Sequence, residues 1–251
     1  MPTFVGLDLA WKPENESGLS WLEGDSPENQ RCTRLEPDDP DIDGHADELA
    51  AIAGTVVVSI DAPVLYTPAR WVDTYINRVF GRFNASAHSA HYAYREGRRA
   101  GIELGYALAN REFTLDPRPL LDGNRECRLG LEVYPHTLHV RLFELKERIL
   151  YKYGKKPLDV LRPGMQQYQS LLRDLLQREA PRVLEHSEIL RVLDHRVVES
   201  AIGKDYKRVE DSLDGVTCAV SAWLMWNEPK RWELLGDMGG YIVVPRESQP
   251  G

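Results

Sequence analysis

The sequence predicts an α/β domain in which a mixed five-stranded sheet is flanked by helices. Three strand-like segments follow one another at the start of the chain, and sequential strands joined by short turns pair antiparallel. Two later strand-like segments are linked through helical patterns, and helix-linked strands add to a sheet in parallel. A mixed sheet accounts for both observations.

The first five elements are expected within the first 63 residues. Residues 3–10 form the opening strand, and "GLSWLEG" (18–24) and "QRCTRLE" (30–36) are shorter, partly alternating strands between turn residues. Residues 41–54 begin with acids, continue with apolar residues and end with glycine, which is typical of a short helix. Residues 55–63 are β-branched and nearly all apolar, as in a strand buried on both faces.

The later elements are mostly helical. We expect a helix at residues 95–110, and at 129–148 a strand that stops at Pro135 and leads into an amphipathic helix. Residues 210–226 form the clearest late helix, and the segments "WELL" and "GGYIVVP" that follow it form a small hairpin. The helical stretch 151–195 is expected to break at three prolines, Pro157, Pro163 and Pro181.

Length and composition predict one soluble domain. The 251 residues are expected to form a single domain, 1–251, with helical insertions at about 66–126 and 151–205. The net charge of −8 argues against unselective binding to nucleic acid or to an anionic membrane. The start of the chain lacks a signal-peptide pattern, no apolar run reaches membrane-spanning length, and three separated cysteines suggest a reducing compartment. We therefore expect a cytoplasmic protein.

Three acidic residues fall within or just after apolar strands. Asp8 lies in the opening strand without a basic neighbour, where an unpaired charge is costly to bury. Asp61 follows "VVVSI", and ligand sites of open α/β sheets cluster at such carboxyl ends. Glu132 lies between Leu131 and Val133, so its side chain points to the opposite face from both. Each acid alone could equally serve a turn or an ion pair.

Two more acids, Asp211 and Asp214, share one face at the head of the late helix. Capping of free N–H groups is one interpretation, because acids favour the first turn of a helix. The same face continues through small residues, whereas the opposite face is bulky, so the small side is expected to lie close against the sheet. That packing would bring both acids near Asp8, Asp61 and Glu132.

Carboxylates that converge without matching bases repel one another unless cations bind. Mg²⁺ and Mn²⁺ prefer oxygen ligands. Two such ions can stabilise both the attacking and the leaving oxygen of a phosphodiester. The sequence therefore predicts that Asp8, Asp61, Glu132, Asp211 and Asp214 form one catalytic site for Mg²⁺ or Mn²⁺.

Four stretches carry a resemblance. In order, "GLDLAW", "SIDAPV", "LEVYPH" and "DSLDGVTCA" resemble the motifs of a largely uncharacterised family of predicted nucleases with a ribonuclease H-like fold. The "DxxD" helix motif also resembles that of RuvC-type Holliday-junction resolvases. The resemblance runs from Gly6 to the "GGYIVVP" tail. One departure is Gly215, where the family more often has alanine.

The resemblance implies roles for individual residues. In that superfamily the first-strand aspartate bridges two metals, a fourth-strand acid joins it, and final-helix acids complete the site. By motif these roles fall on Asp8, on Asp61, and on Asp211 with Asp214. Glu132 matches the family's strand-five acid, whose metal role is less general. The implied activity is metal-dependent hydrolysis of nucleic acid, with water as the nucleophile.

Basic and histidine side chains provide weaker signals. Lys204, Lys207 and Arg208 in "KDYKR" run into the late helix and could neutralise substrate phosphates, or form a solvated linker. The pairs "HSAH" (His88, His91) and "HTLH" (His136, His139) have helical spacing that could hold zinc. Neither pair is an HExxH motif, and no third ligand is indicated.

Two other functions stay open at the level of sequence. An ATP-binding phosphotransferase of the actin and sugar-kinase type also carries an aspartate on its first strand. Such proteins need a duplicated domain and glycine-rich phosphate loops, whereas this chain is short for two copies and has neither GxxxxGK[ST] nor a triple-glycine run. The other alternative is a catalytically silent binding module, whose acids only cap helices and solvate the surface.

Overall fold

The computed structural model describes residues 1–10, 16–38, 41–87, 89–154 and 156–247. The strands in these ranges are β1 (Thr3–Asp8), β2 (Ser17–Glu23), β3 (Arg31–Asp38), β4 (Val56–Ile60), β5 (Arg128–Glu132), β6 (Trp232–Asp237) and β7 (Gly240–Pro245). The first five form one sheet in the order β3-β2-β1-β4-β5, and β6 and β7 form the expected hairpin.

Helices account for most of the remaining described residues. The α-helices are α1 (Ile42–Ala51), α2 (Val72–Phe80), α3 (Ala90–Arg95), α4 (Ala100–Ala109), α5 (Arg118–Leu121), α6 (Pro135–Leu142), α7 (Leu158–Glu179), α8 (Ser187–Val192), α9 (His195–Ser200) and α10 (Gly203–Asn227). Short 3-10 turns occupy Gly81–Phe83, Pro181–Glu185 and Pro229–Arg231. Within the described ranges, no helical segment has both the length and the hydropathy that crossing a lipid bilayer requires.

The sheet is mixed, as the sequence predicts. Strand β1 pairs antiparallel with β2 and parallel with β4, and β4 pairs parallel with β5. In the parallel pair Leu7 lies beside Ile60, and in the antiparallel pair Asp8 lies opposite Gly18. Every residue of β4 is buried, because layers cover both faces of this central strand. Strands β1 and β4 therefore end side by side at one edge of the sheet.

Helix α10 packs across β1, β2 and β4 and brings its acidic segment to that edge. A Cβ atom on Gly18 would lie 1.9 Å from the carbonyl oxygen of Asp211, so the backbones of β2 and α10 meet directly. Further along, the hydroxyls of Ser221 and Ser59 are 3.4 Å apart. The bulky side chains of α10, Trp223 among them, are buried as well, so the predicted cover on both sides of this helix is confirmed.

Three predicted helix boundaries are wrong. The helix expected at 95–110 begins only at Ala100, because Gly97, in a left-handed conformation (φ 76°), separates it from α3, which ends at Arg95. The helix after β5 ends at Leu142 rather than at 148, and Glu144 has φ 52°. The late helix begins at Gly203 rather than at 210, so "KDYKR" lies on the helix instead of in a linker.

Pro163 does not break a helix, contrary to the prediction. It lies inside α7, one turn after the helix begins at Leu158. The side chains of Leu161 and Met165 on either side of it are fully buried in the core, and that burial offsets the backbone hydrogen bond that proline cannot donate. Pro157 and Pro181 do lie at boundaries, at the start of α7 and of a 3-10 turn.

Candidate active site

Asp8 and Asp61 project from neighbouring parallel strands at the same edge of the sheet. Asp8 is the last residue of β1, and Asp61 directly follows β4. The backbone N–H of Asp61 donates a hydrogen bond of 2.8 Å to the carbonyl oxygen of Leu7, so the two strand ends stay aligned. The sequence places Asp61 at a strand end and Asp8 within an opening strand at 3–10. The strand ends earlier, at Asp8, so both acids lie at strand ends.

The acids of α10 face this edge from inside the helix. Glu210, Asp211 and Asp214 lie at least seven residues after the helix begins at Gly203, and all three are buried. Free backbone N–H groups occur in the first turn of a helix. The capping interpretation of Asp211 and Asp214 is therefore wrong, and the burial of these two carboxyl groups needs another explanation.

A lysine side chain lies among the carboxyl groups. The ammonium of Lys152, from the loop between α6 and α7, donates a short hydrogen bond to Oδ2 of Asp214. The same Nζ lies 3.9 Å from Oδ2 of Asp8, 3.9 Å from Oδ2 of Asp61 and 4.0 Å from Oε1 of Glu210. One positive charge is thus shared by acids from β1, from the end of β4 and from α10.

A second lysine binds the outer part of the same group of acids. The ammonium of Lys207 donates to Oε1 of Glu210 at 3.0 Å and, over a shorter distance, to Oδ1 of Asp211. Five carboxyl groups and two ammonium groups therefore meet here, with an excess of three negative charges if all are ionised. We call these seven residues the carboxylate cluster: Asp8, Asp61, Lys152, Lys207, Glu210, Asp211 and Asp214.

Crowding and burial change the pKa values of the cluster. Burial raises the pKa of Asp61 well above its ordinary value, the charges of Asp8 and Asp214 raise it further, and Lys152 opposes the shift. Burial, with the neighbouring Asp8 charge, raises the pKa of Asp211 to about 8 and that of Asp214 to about 6. At Asp8 burial is outweighed by the charges of Lys152 and Lys207, so its pKa is lowered. Without additional cations, the cluster therefore retains protons.

Two buried tyrosine hydroxyls lie within hydrogen-bond distance of the Asp214 carboxyl group. Tyr151 donates to its Oδ1 at 2.7 Å. The hydroxyl of Tyr168 lies 3.1 Å from the same oxygen and 2.9 Å from the carbonyl oxygen of Leu213, and shares its proton between them. Tyr168 also approaches the hydroxyl of Thr217 at 2.6 Å. Because Asp214, Tyr151 and Tyr168 are fully buried, these hydrogen bonds compensate for the loss of water around the carboxyl group. The orientation of Asp214 is thus set by the core.

Glu132 has a different partner. Arg70 binds both of its oxygens, at 2.6 Å and 2.9 Å, and also binds Asp73. This buried ion pair borders a small cavity of about 40 Å³ that Asp61 and Glu132 both line. Burial raises the pKa of Glu132 to about 7, and Arg70 opposes that shift. The structure thus places Glu132 beside the cluster with both oxygens engaged, so its catalytic role stays a prediction.

The three basic residues predicted to bind substrate lie along one open groove. Lys204, Lys207 and Arg208 line a depression of about 460 Å³ that also reaches Asp211 and Tyr153. Lys204 is exposed. Arg208 forms a bidentate pair with Glu16 at 2.8 Å. The groove therefore leads from solvent to the cluster. Lys204 is exposed to solvent there, whereas Lys207 and Arg208 form ion pairs with acids.

The cluster suits a hard cation by its donor type but not by its present arrangement. Carboxylate oxygens are the ligands that Mg²⁺ and Mn²⁺ prefer. Oδ2 of Asp8 is buried without a hydrogen-bond partner. However, among the described residues no group of three or more histidine, cysteine, aspartate or glutamate side chains is arranged to hold a metal ion. The Lys152 ammonium lies among the oxygens that such an ion would use.

Within the described part of the chain, no third zinc ligand accompanies the histidines of either pair. His136 and His139 lie on α6, and His139 is fully buried against the ring of Tyr168, with centroids 4.2 Å apart. Burial lowers the pKa of His139 to about 3, so this ring stays neutral. His88 lies outside the described residues, and His91 accepts or donates a hydrogen bond with the Tyr66 hydroxyl at 2.5 Å.

Sequence reasoning missed two members of the cluster, Glu210 and Lys152. Glu210 could have been found, because it lies four residues before Asp214 on the same helix face. No periodic pattern in the sequence indicates Lys152, because it lies in an irregular loop far from the acids in sequence. The premise that the acids lack matching bases is therefore wrong in part: two lysines enter the cluster, although they do not neutralise it.

Comparison with known proteins yields one family. A family model described as a protein of unknown function (DUF429) matches residues 17–232, which include Asp61, Lys152 and the acids of α10. Asp8 precedes the matched residues. No curated protein matches the chain, and no solved structure does.

Proposed function

The chain belongs to the DUF429 family of proteins of unknown function, and on the chemistry of its carboxylate cluster we propose that it is a divalent-metal-dependent nuclease. The observation that supports this most is the meeting of five carboxyl groups from β1, β4 and α10 around only two ammonium groups. A buried excess of negative charge is costly unless protons or cations offset it. A divalent cation offsets it at neutral pH.

The proposed fold class is ribonuclease H-like. It is supported by the strand order β3-β2-β1-β4-β5, with one acid at the end of β1 and another directly after β4. The late helix α10 adds its acids to the same edge of the sheet. Because fold does not determine function, the proposed activity depends on the cluster itself.

In this proposal Asp8, Asp61 and Asp214 would hold the cations through their carboxylate oxygens. Asp211 binds or orients water at the groove, and the buried Tyr151 and Tyr168 hold the Asp214 carboxylate in place. When bound, the cations supply Lewis-acid stabilisation of the charge that develops on the attacking and leaving oxygens of a phosphodiester. Water is the nucleophile, and no covalent intermediate forms on the protein.

The groove beside the cluster accounts for the proposed substrate. It is lined by three basic residues, Lys204, Lys207 and Arg208, and by two acids, Glu16 and Asp211, so basic residues outnumber acids by one. Ammonium and guanidinium groups attract the phosphates of nucleic acids without regard to sequence. The overall charge of −8 is compatible with this only if substrate binds at such a local basic surface.

Two linked measurements test the proposal. Thermal unfolding is followed during titration with Mn²⁺, and labelled single-stranded, duplex, hybrid and junction substrates are incubated with Mg²⁺ or Mn²⁺. We expect Mn²⁺ to raise the melting temperature of the wild type and to support cleavage, and we expect both effects to disappear in Asp8→Asn. Asp174→Asn is the control, because Asp174 is an exposed aspartate of α7 and belongs to neither the cluster nor the groove.

The contrary outcomes separate the alternatives. Equal cleavage by wild type and Asp8→Asn would identify a contaminant and remove support for the nuclease. A shift that requires a nucleotide rather than the metal alone would favour a phosphotransferase. No shift with any metal would favour a silent binding module.

A further inference from the structure

We propose that the Lys152 ammonium competes with a divalent cation for the same carboxylates, holding the cluster together without metal and withdrawing when metal binds. This inference rests on the proposed metal site and adds a regulatory residue to it. The carboxylate oxygens nearest to Lys152 are those of Asp8, Asp61 and Asp214, which are three of the proposed metal ligands.

The position of the Lys152 ammonium explains why it would compete with a divalent cation. Nζ of Lys152 hydrogen-bonds Oδ2 of Asp214 and lies within 4.0 Å of three further carboxylates. A cation that used Oδ2 of Asp8, Asp61 and Asp214 together would need the space that this ammonium occupies. Two positive centres at such short range in a partly buried site also repel each other strongly. The ammonium and the metal ion therefore exclude each other.

Hydrogen bonds hold the backbone on both sides of Lys152. We therefore expect only the side chain of Lys152 to move. Tyr206 donates a hydrogen bond of 3.0 Å to the carbonyl oxygen of Tyr151, and the N–H of Tyr153 donates to Glu210. The ring of Tyr151 is fully buried beneath this segment. Withdrawal of the ammonium therefore leaves the loop in place.

The side chain of Lys152 can reach water without opening the core. About a third of it is already exposed (32%), whereas the side chain of its partner Asp214 is fully buried. Rotation about the four carbon bonds of a lysine side chain moves its ammonium into solvent, where it is strongly hydrated. The carboxylates stay behind, because Tyr151 and Tyr168 continue to hold Asp214.

The first test compares Mn²⁺ affinity by calorimetry in the full-length wild type and in Lys152→Met, which keeps the bulk and removes the charge. We expect Mn²⁺ to bind Lys152→Met at least about tenfold more tightly, because the competing charge is gone. In EDTA the same variant is expected to melt at a lower temperature than the wild type. Lys156→Met is the matched control, since Lys156 is an exposed lysine of the same loop, and its affinity should not change.

The second measurement needs no variant, which protects the test if Lys152→Met folds poorly. Lysine acylation by acetic anhydride is quantified by mass spectrometry with and without Mn²⁺. Lys152 is expected to react several times faster with Mn²⁺ present, while Lys156 reacts at one rate throughout. Equal reactivity of Lys152 in both states would overturn the inference.

The outcomes separate this inference from the proposed nuclease activity. Equal or weaker Mn²⁺ affinity in a folded Lys152→Met overturns the competition, and so does a lack of Mn²⁺ binding to both proteins. Wild-type cleavage that depends on Asp8 would leave the nuclease standing in the first case. Conversely, tighter binding in Lys152→Met without cleavage by any protein supports the competition and refutes the nuclease.

Discussion

Gly6 of β1 and Gly215 of α10 meet backbone to backbone. A Cβ atom on Gly6 would lie 2.0 Å from the carbonyl oxygen of Gly215 and 2.2 Å from the backbone nitrogen of Ala219. Both neighbours are backbone atoms, so no side chain can move aside to make room. This contact sets the distance between β1, which carries Asp8, and the helix that carries Asp211 and Asp214.

Gly6→Ala is expected to separate α10 from β1. Overpacking of a tight contact typically costs about 1–3 kcal/mol, and here helix displacement would also pull Asp214 away from Asp8. Urea unfolding should show the loss of stability, and the Mn²⁺-induced rise in melting temperature should shrink with it. Gly154→Ala serves as the control, because nothing lies within 4 Å of its added Cβ. Equal stability of the two variants would contradict the close contact.

Tyr151→Phe is expected to destabilise the protein by about 1–3 kcal/mol. The substitution removes one donor to the buried Oδ1 of Asp214 and leaves the ring packing intact. Chemical denaturation measures the change, and Tyr92→Phe, at a largely exposed ring, should have almost none. If Tyr151→Phe were as stable as the wild type, the hydroxyl would not be holding Asp214.

A double-mutant cycle tests the pair formed by Arg70 and Glu132. Both side chains are almost fully buried, so Arg70→Met leaves a buried carboxylate with no guanidinium partner and should cost about 3–5 kcal/mol. Arg70→Met combined with Glu132→Gln should cost less than the sum of the single changes, because the pair is removed together. Strict additivity would mean that the two residues do not interact.

The same variants decide the role of Glu132. If the residue is structural, Glu132→Gln retains the Mn²⁺-dependent cleavage rate once protein is corrected for folded fraction. If Glu132 is catalytic, the Glu132→Gln variant instead loses most of its cleavage activity while it remains folded.

The stability of the wild type relative to Asp211→Asn is expected to fall as pH rises. Burial and the charge of Asp8 raise the pKa of Asp211 to about 8 in the folded protein, above the ordinary 3.8. Between these two values the folded state holds a proton that the unfolded state has released, so raising the pH favours unfolding. The variant has no carboxyl group at this position and lacks that dependence. Melting temperatures in EDTA from pH 5 to pH 8.5 measure the difference.

A difference that stays constant over this range would contradict the raised pKa. Added Mn²⁺ is expected to reverse the trend in the wild type, since metal ions bind the ionised carboxylates.

The sheet could be predicted because its strands have local signals. The alternating segments of β2 and β3 and the apolar run of β4 each carry their own periodicity, and the strand order follows from how sequential and helix-linked strands pair. Asp61 could be placed because it directly follows the apolar run of β4, whereas the opening strand is expected to continue to residue 10 and ends at Asp8. The small face of α10 correctly indicated contact with the sheet.

The rest depended on contacts that leave no pattern in sequence. Lys152 reaches the cluster from an irregular loop, and Arg70 meets Glu132 from a segment with no strand periodicity. Gly97 ends α3 through its own φ angle, whereas other glycines, such as Gly101 and Gly105, lie inside helices. Nothing in the local sequence distinguishes these cases, because tertiary packing decides between them.

The position of α10 so late in the chain has a consequence during synthesis. While a ribosome is still adding the residues of α7, the five-stranded sheet is complete in sequence, but the acids that face Asp8 and Asp61 have not been made. Domains generally fold as units during synthesis. A nascent chain at that stage carries Asp8 and Asp61 without the acids of α10, so the carboxylate cluster cannot assemble before translation has passed Asp214.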